Sequence, residues 1–92
     1  MSEGLPNSRD CFVCGVDNPR GLRLKFHLDD HRVFTAVSLP EWSAGFRGTA
    51  HGGIVATLLD EAMSWAATCH ARGPTATAEM TVRYRQPTPT GT

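Results

Sequence analysis

The sequence predicts an α+β fold made of a β-hairpin, one long buried helix and a further strand. Two observations predict it. From Ile54 to Cys69 the chain has no proline, no glycine and only two charged residues, Asp60 and Glu61. Such a run is too long for an ordinary strand and is rich in residues that favour helix. On either side of it, apolar and polar side chains alternate with the period of a strand.

The predicted helix spans residues 51–70 and carries a wide apolar arc. Because such an arc needs cover, we expect the helix to be largely buried. Asp60 falls outside the arc, and a carboxylate in a mostly buried helix is costly unless a partner stabilises it. The arc has one stripe of Ile54, Leu58, Ala62, Trp65 and Cys69, and a neighbouring stripe of Val55, Leu59, Met63 and Ala66.

The remaining elements follow from the alternation and from turn residues. Three strands cannot cover a helix that is apolar over so wide an arc, so we expect further strands or a second subunit. Residues 1–20 are predicted to form an N-terminal tail and turn, of which 1–10 are a loose tail. Strands joined by a turn follow at 22–28 and 33–39, and an ordered loop at 41–49 leads to the helix. After the helix come a strand at 75–85 and a turn-like end at 87–92.

Composition restricts the class of protein. The 92 residues predict a single domain, and the 9 basic and 9 acidic residues balance, which argues against bulk binding to nucleic acid or to an anionic membrane. There is no secretory pattern and no uncharged apolar run of membrane-spanning length. The three cysteines are an odd number, which fits a reducing compartment, so the sequence predicts a cytoplasmic protein.

A family resemblance rests on three stretches. The first is His51-Gly52-Gly53 followed by Asp60 within Leu-Leu-Asp-Glu-Ala-Met, which resembles the signature of hotdog-fold acyl-CoA thioesterases. The Cys-Phe-Val-Cys-Gly opening, with Asn-Pro-Arg-Gly-Leu after it, resembles a subgroup of small thioesterase-like proteins. Residues 77–87 look like the strand that follows the helix in that subgroup.

The resemblance implies a fold and a substrate. In the hotdog fold a long antiparallel sheet wraps the central helix, and two units pair so that active sites lie at the dimer interface. It therefore implies one hotdog domain over residues 1–92 that acts as a homodimer or a dimer of dimers. The substrate would be an acyl-CoA, with no cofactor besides the coenzyme A of the substrate itself. Family members continue for two or three more strands, so we expect this chain to be C-terminally incomplete.

The resemblance also assigns roles at the helix start and on the helix. Backbone N–H groups of Gly52 or Gly53 would hold the oxyanion. The alternative, which two adjacent glycines by themselves favour, is a loop-to-helix turn. Asp60 would be the general base or the nucleophile, or else an acid paired with an arginine in a dimer interface. His51 would donate to the substrate carbonyl or position the loop, or else bond backbone at the helix start. Glu61 is expected to be a surface or interface charge.

Further candidates lie on the third predicted strand. In the subgroup a threonine at the position of Thr77 acts across the dimer, where it would hold water or the Asp60 carboxylate; the alternative is a threonine that only favours strand. The amide residue that other members carry before the two glycines is absent here, which gives Thr77 more weight. Arg83 and Arg85 would contact the phosphates of coenzyme A or lie in solvent.

The cysteines and the competing functions complete the predictions. Cys11 and Cys14 have the spacing of half a zinc site, but no second pair follows, so a structural turn without metal is expected. The predicted function is hydrolysis of an acyl-CoA thioester. The alternatives are a hotdog-fold dehydratase or hydratase, which usually carries a His-Phe-Pro motif, and a non-catalytic acyl-CoA-binding module.

Overall fold

Helix α1 (Gly52–Ala71) is the longest element of the protein. The computed structural model describes residues 3–4, 9–30, 32–71 and 75–92. Two small antiparallel sheets accompany the helix, so the predicted α+β class is confirmed. The first sheet has the order β1 (Glu3–Gly4), β2 (His27–Asp29), β3 (Arg32–Phe34), and the second pairs β4 (Ala44–Phe46) with β5 (Thr49–Ala50).

The hairpin forms where the sequence predicts it, but its strands are shorter than 22–28 and 33–39. The ladder between β2 and β3 places Leu28 opposite Val33, and Asp30 turns the chain with a left-handed φ of 60°. Residues 22–26 bond elsewhere, because the N–H of Leu22 donates to the carbonyl of residue 12 and that of Leu24 donates to residue 13, each at 2.8 Å. The cysteine-containing turn therefore uses the backbone groups that a longer hairpin would need.

The prediction of a loose tail over residues 1–10 is wrong for β1, because this strand pairs with β2 in an antiparallel ladder. Residues 1–2 and 5–8 lie outside the described residues, as do residue 31 of the predicted hairpin turn and residues 72–74 after the helix.

The core lies between the cysteine-containing turn and one face of α1. Val13, Cys14, Leu24 and Phe26 are buried there, and Phe26 stacks on Trp65 with ring centroids 6.5 Å apart. Burying side chains of this size contributes about 1.5–3 kcal/mol each. From α1, three residues of the first predicted stripe reach this core: Leu58, Ala62 and Trp65.

The second stripe of α1 is uncovered. No residue of α1 among those described is fully buried, and Leu59 and Met63 expose 44% and 52% of their surface. The prediction of a largely buried helix is therefore wrong for the single chain, because the sheets and turns cover only one side of the arc.

The predicted strand at 75–85 is also not formed. A strand needs a neighbouring backbone for its hydrogen bonds, and residues 75–85 form no ladder with any other part of the chain that the structure describes. Threonine side chains attach this segment to α1 instead.

The end of the chain is more ordered than its turn-like composition predicts. Thr88 O accepts from Ala50 N at 2.7 Å, and Thr90 N donates to Gly48 O at 3.1 Å. An isolated antiparallel bridge joins Thr49 to Pro89 between these two bonds. Residues 88–90 therefore lie along β5, close to the start of α1.

No helix in the described part of the chain combines the length and the hydropathy that a transmembrane span needs.

Candidate functional site

The first turn of α1 is closed by His51. The His51 carbonyl accepts from Ile54 N at 2.9 Å and from Val55 N at 3.1 Å, while His51 Nδ1 accepts from Gly53 N at 2.8 Å. An imidazole nitrogen that accepts carries no proton, so in the neutral ring the proton is on Nε2. The ring itself is exposed. His51 thus bonds backbone at the helix start, as one of its predicted alternatives states, and still presents an N–H to solvent.

The two glycines of the motif have different roles. The N–H of Gly53 is already bonded to His51, and a Cβ at Gly53 would lie 3.1 Å from His51 Nδ1. That contact is tighter than ordinary van der Waals packing, so glycine permits this cap. Gly52 N–H belongs to the groups that every helix leaves without an intrahelical acceptor. Of the two predicted oxyanion donors, Gly52 is therefore the one whose N–H remains available to a ligand.

A cavity of about 640 Å³ opens at this helix start. Tyr84 lines it and donates its hydroxyl hydrogen to the Gly52 carbonyl at 2.7 Å. Arg85 is in the lining of this cavity, whereas Arg83 is exposed and lies outside that lining. Only one of the two predicted phosphate-binding arginines is therefore near the helix start. The other lining side chains include Phe46, Thr49, His51, Val55, Gln86 and Thr88.

Asp60 lies two turns further along α1 in a chain of hydroxyl groups. Thr77 Oγ1 donates to Asp60 Oδ1 at 2.5 Å, and Ser64 Oγ lies 3.4 Å from Thr77 Oγ1. Since the Thr77 hydrogen goes to the carboxylate, Ser64 is the donor of the second bond. Thr77 thus contacts within its own chain one of the two groups that it is expected to hold, the Asp60 carboxylate. The reason is that residues 75–81 return along α1 after the helix ends.

The acid and the helix start do not share a cavity. Asp60, Ser64 and Thr77 line a separate cavity of about 350 Å³ with Met63, Thr75 and Met80. The rise of an α-helix separates residues 52 and 60 by about 12 Å along the axis. A thioester carbonyl held at Gly52 is therefore out of reach of the Asp60 carboxylate of the same chain.

A family model described as "Thioesterase superfamily" matches residues 47–92, which is half of the chain. The chain belongs to the thioesterase superfamily. With the long helix and the antiparallel pairs, this match confirms the predicted hotdog class. No curated protein and no solved structure matches the chain.

The part of the chain that the superfamily model covers contains the helix start, Asp60 and Thr77. The cysteine pair precedes it. This thioesterase-superfamily domain therefore has its predicted acid, cap and oxyanion donor inside the matched segment, and a second polar cluster formed partly from residues outside it.

That second cluster joins Cys11 and Cys14 to Glu61 of α1. The two sulfurs and a carboxylate oxygen lie within 4.8 Å of one another, and Trp65 Nε1 donates to Glu61 Oε2 at 2.9 Å. Burial, followed by hydrogen bonding with Glu61 and Cys11, raises the pKa of the Cys14 thiol well above its usual range. The prediction of a surface or interface charge at Glu61 is wrong, because this side chain is half-buried against the core.

Four side chains of these clusters are not among the predicted site residues: Ser64, Tyr84, Glu61 and Trp65. Helical spacing contains a signal for three of them, since residues four apart are neighbours on a helix surface. Ser64 follows Asp60 by four residues, and Trp65 follows Glu61 by four. The bond from Tyr84 to Gly52 spans 32 residues and has no local signal.

Proposed function

We propose that this thioesterase-superfamily domain hydrolyses an acyl-CoA thioester. The observation that supports this proposal best is Asp60: a half-buried carboxylate that accepts from Thr77, beside a cavity, in the segment that matches the superfamily. A carboxylate held in this way suits either proton abstraction from water or direct attack on a carbonyl carbon.

In the first route Asp60 takes a proton from water as the water oxygen attacks the thioester carbon. The carbonyl oxygen becomes an oxyanion, and Gly52 N–H together with His51 Nε2–H are suited to stabilise it. Collapse of the intermediate breaks the carbon–sulfur bond, and the coenzyme A thiolate leaves and takes up a proton. In the second route the Asp60 carboxylate attacks the thioester carbon, and a mixed anhydride forms as the carbon–sulfur bond breaks and the coenzyme A thiolate leaves and takes up a proton. Water then hydrolyses the anhydride, which releases the free acid and regenerates the carboxylate.

The site is built from two chains under this proposal. Gly52 and Asp60 are about 12 Å apart along the helix axis, so the oxyanion donor of one chain would work with the acid of a second copy. The uncovered stripe with Leu59 and Met63 gives such a copy an apolar surface beside the acid. A homodimer, alone or paired into a dimer of dimers, satisfies both requirements.

Coenzyme A would enter over the helix-start cavity. Arg85 lines this cavity and offers a guanidinium that suits a phosphate group. Arg83 is the weaker candidate, because it lies outside the cavity lining. The acyl chain would lie against the apolar stripe of the partner helix.

The primary test measures release of free thiol from a panel of acyl-CoAs by the wild-type protein and by the Asp60→Asn variant. Hydrolysis by the wild type that is lost in the variant supports the proposal. Hydration of an enoyl-CoA without thiol release would favour the dehydratase alternative, and tight acyl-CoA binding without either reaction would favour the binding module.

A mixing experiment tests the two-chain site. A homodimer of His51→Ala chains and a homodimer of Asp60→Asn chains each have two inactive sites. A hybrid dimer holds one site that carries both changes and one that carries neither, so random mixing should restore about a quarter of wild-type activity. Inactive hybrids of proven composition would refute the two-chain site.

A further inference from the structure

We propose that Cys11, Cys14 and Glu61 form a zinc site, with two thiolates and one carboxylate oxygen as protein ligands and a solvent molecule as the fourth. Sequence spacing alone supplies only half a site and predicts no metal. The position of Glu61, fifty residues from Cys11 in sequence and next to it in space, changes that interpretation.

The distances suit tetrahedral zinc. With usual zinc–sulfur and zinc–oxygen bond lengths, neighbouring ligand atoms in a tetrahedron are about 3.3–3.8 Å apart. Cys11 Sγ lies 3.8 Å from Glu61 Oε2 and 3.9 Å from Oε1. All three ligand atoms lie within 4.8 Å of one another, so small side-chain rotations would bring them onto one ion.

The surroundings hold the ligands in place. Cys14 is 3% exposed, and Cys11 and Glu61 are half-buried. Gly15 N donates to Cys11 O at 2.9 Å, which closes the turn that presents both sulfurs on one side. Trp65 Nε1 donates to Glu61 Oε2, which is the outer-shell support that ligating carboxylates usually have.

There is also room for a fourth ligand. A cavity of about 300 Å³ is lined by all three candidate ligands together with Ser64, Trp65, Thr68 and Thr75. Thiolates select soft or borderline ions such as zinc over calcium or magnesium. A cation would also offset the negative charges that a carboxylate and two thiolates bring together in a half-buried place, where charge is costly.

The ion would tie the cysteine-containing turn to α1 at the residue next to Asp60, in a chain whose core is small. The inference is independent of the proposed hydrolysis, because it concerns metal content and folding.

The test measures metal content and ligand field on the whole chain. After removal of loosely held metal, wild-type protein should retain one zinc per chain. Cobalt(II) added to the metal-free protein should give a thiolate-to-cobalt charge-transfer band and the intense visible bands of tetrahedral coordination. Cys14→Ser and Cys11→Ser should remove the charge-transfer intensity stepwise, and Glu61→Gln should weaken zinc binding about a hundredfold or more.

Cys69→Ser is the matched control and should leave metal content and spectrum unchanged, because Cys69 is not part of the cluster. Cys14 is buried, so its variant could fail to fold; the cobalt spectrum of wild-type protein and the Glu61→Gln titration then decide. Absence of a thiolate–cobalt band in reduced, folded wild-type protein would overturn the proposal. So would zinc affinity that Glu61→Gln leaves unchanged, or a Cys11–Cys14 disulfide that persists as the stable form under reducing conditions.

Discussion

The hydroxyl of Thr77 lies 2.5 Å from Oδ1 of Asp60 in the same chain and donates its hydrogen to that oxygen. The carboxylate and the hydroxyl that is hydrogen-bonded to it therefore come from one chain. The cap at His51 and the N–H of Gly52 lie two turns away on the same helix.

Asp60→Asn should lower acyl-CoA hydrolysis by about a hundredfold or more, because removal of a base or nucleophile costs that much. The amide keeps the shape of the side chain and can still accept from Thr77, so the midpoint of urea unfolding should hardly move. Asp10→Asn is the control, an exposed acid in the N-terminal turn. Turnover near the wild-type value in the Asp60 variant would show that the acid has another task.

Thr77→Val should reduce kcat about tenfold or more with little change in KM, since a hydrogen bond to a charged group contributes about 1.5–3 kcal/mol. Thr77→Ser keeps the hydroxyl and should restore most of the rate. Steady-state kinetics on one acyl-CoA separates the two parameters. A change in KM alone would mean that Thr77 contributes to substrate binding and not to the orientation of Asp60.

The same variants test whether Thr77 works within its own chain. If the Asp60–Thr77 bond forms inside one chain, mixing Asp60→Ala chains with Thr77→Ala chains leaves every site of a hybrid dimer damaged. Activity should then stay at the level of the parents, unlike the mixture of His51→Ala with Asp60→Asn. Clear restoration in the Asp60/Thr77 mixture would place the threonine across the interface, as the family resemblance implies.

The parts of the fold that sequence predicts well are those set by local pattern. Helix α1 begins within one residue of the predicted start, because glycines and an N-capping histidine precede an uninterrupted apolar run. The turn of the hairpin is also placed correctly, because turn-forming residues mark it locally. Asp30 adopts the left-handed conformation that such a turn requires. These features depend on residues only a few positions apart.

Features that depend on distant partners were not predictable in the same way. Residues 75–85 alternate like a strand, yet alternation cannot say whether a neighbouring backbone is present to pair with. From the sequence, Glu61 is expected to be a surface or interface charge. Leu58, three positions before it, and Trp65, four after it, pack against the core and bring Glu61 alongside Cys11. A motif predicts Asp60 and His51 as candidate site residues, whereas only the structure shows that they line two separate cavities.

Gly15→Ala should destabilise the protein by about 1–3 kcal/mol, the usual cost of overpacking. A Cβ at this position would lie 2.5 Å from Arg9 O and 2.6 Å from Cys11 O, both backbone atoms that cannot rotate away. Gly48→Asn is the control: its φ is +79° and a Cβ there meets nothing within 4 Å, and asparagine tolerates this conformation. Urea unfolding followed by circular dichroism compares them. An equal, small effect at both positions would mean that the turn relaxes freely.

Trp65→Phe should weaken zinc binding about 10- to 100-fold, the usual effect of removing an outer-shell hydrogen bond. Phenylalanine keeps an aromatic ring against Phe26, so most of the core contact survives, but it has no N–H to donate to Glu61 Oε2. Competition with a chelator of known affinity measures the change. The control is Trp42→Phe, which alters an exposed tryptophan in the short 3₁₀ helix Glu41–Ser43. If Trp65→Phe lowered thermal stability equally with and without zinc while zinc affinity stayed constant, the tryptophan would serve packing alone. If the loss of affinity appears while the metal-free chain melts close to wild type, the indole N–H acts on the carboxylate and through it on the ion.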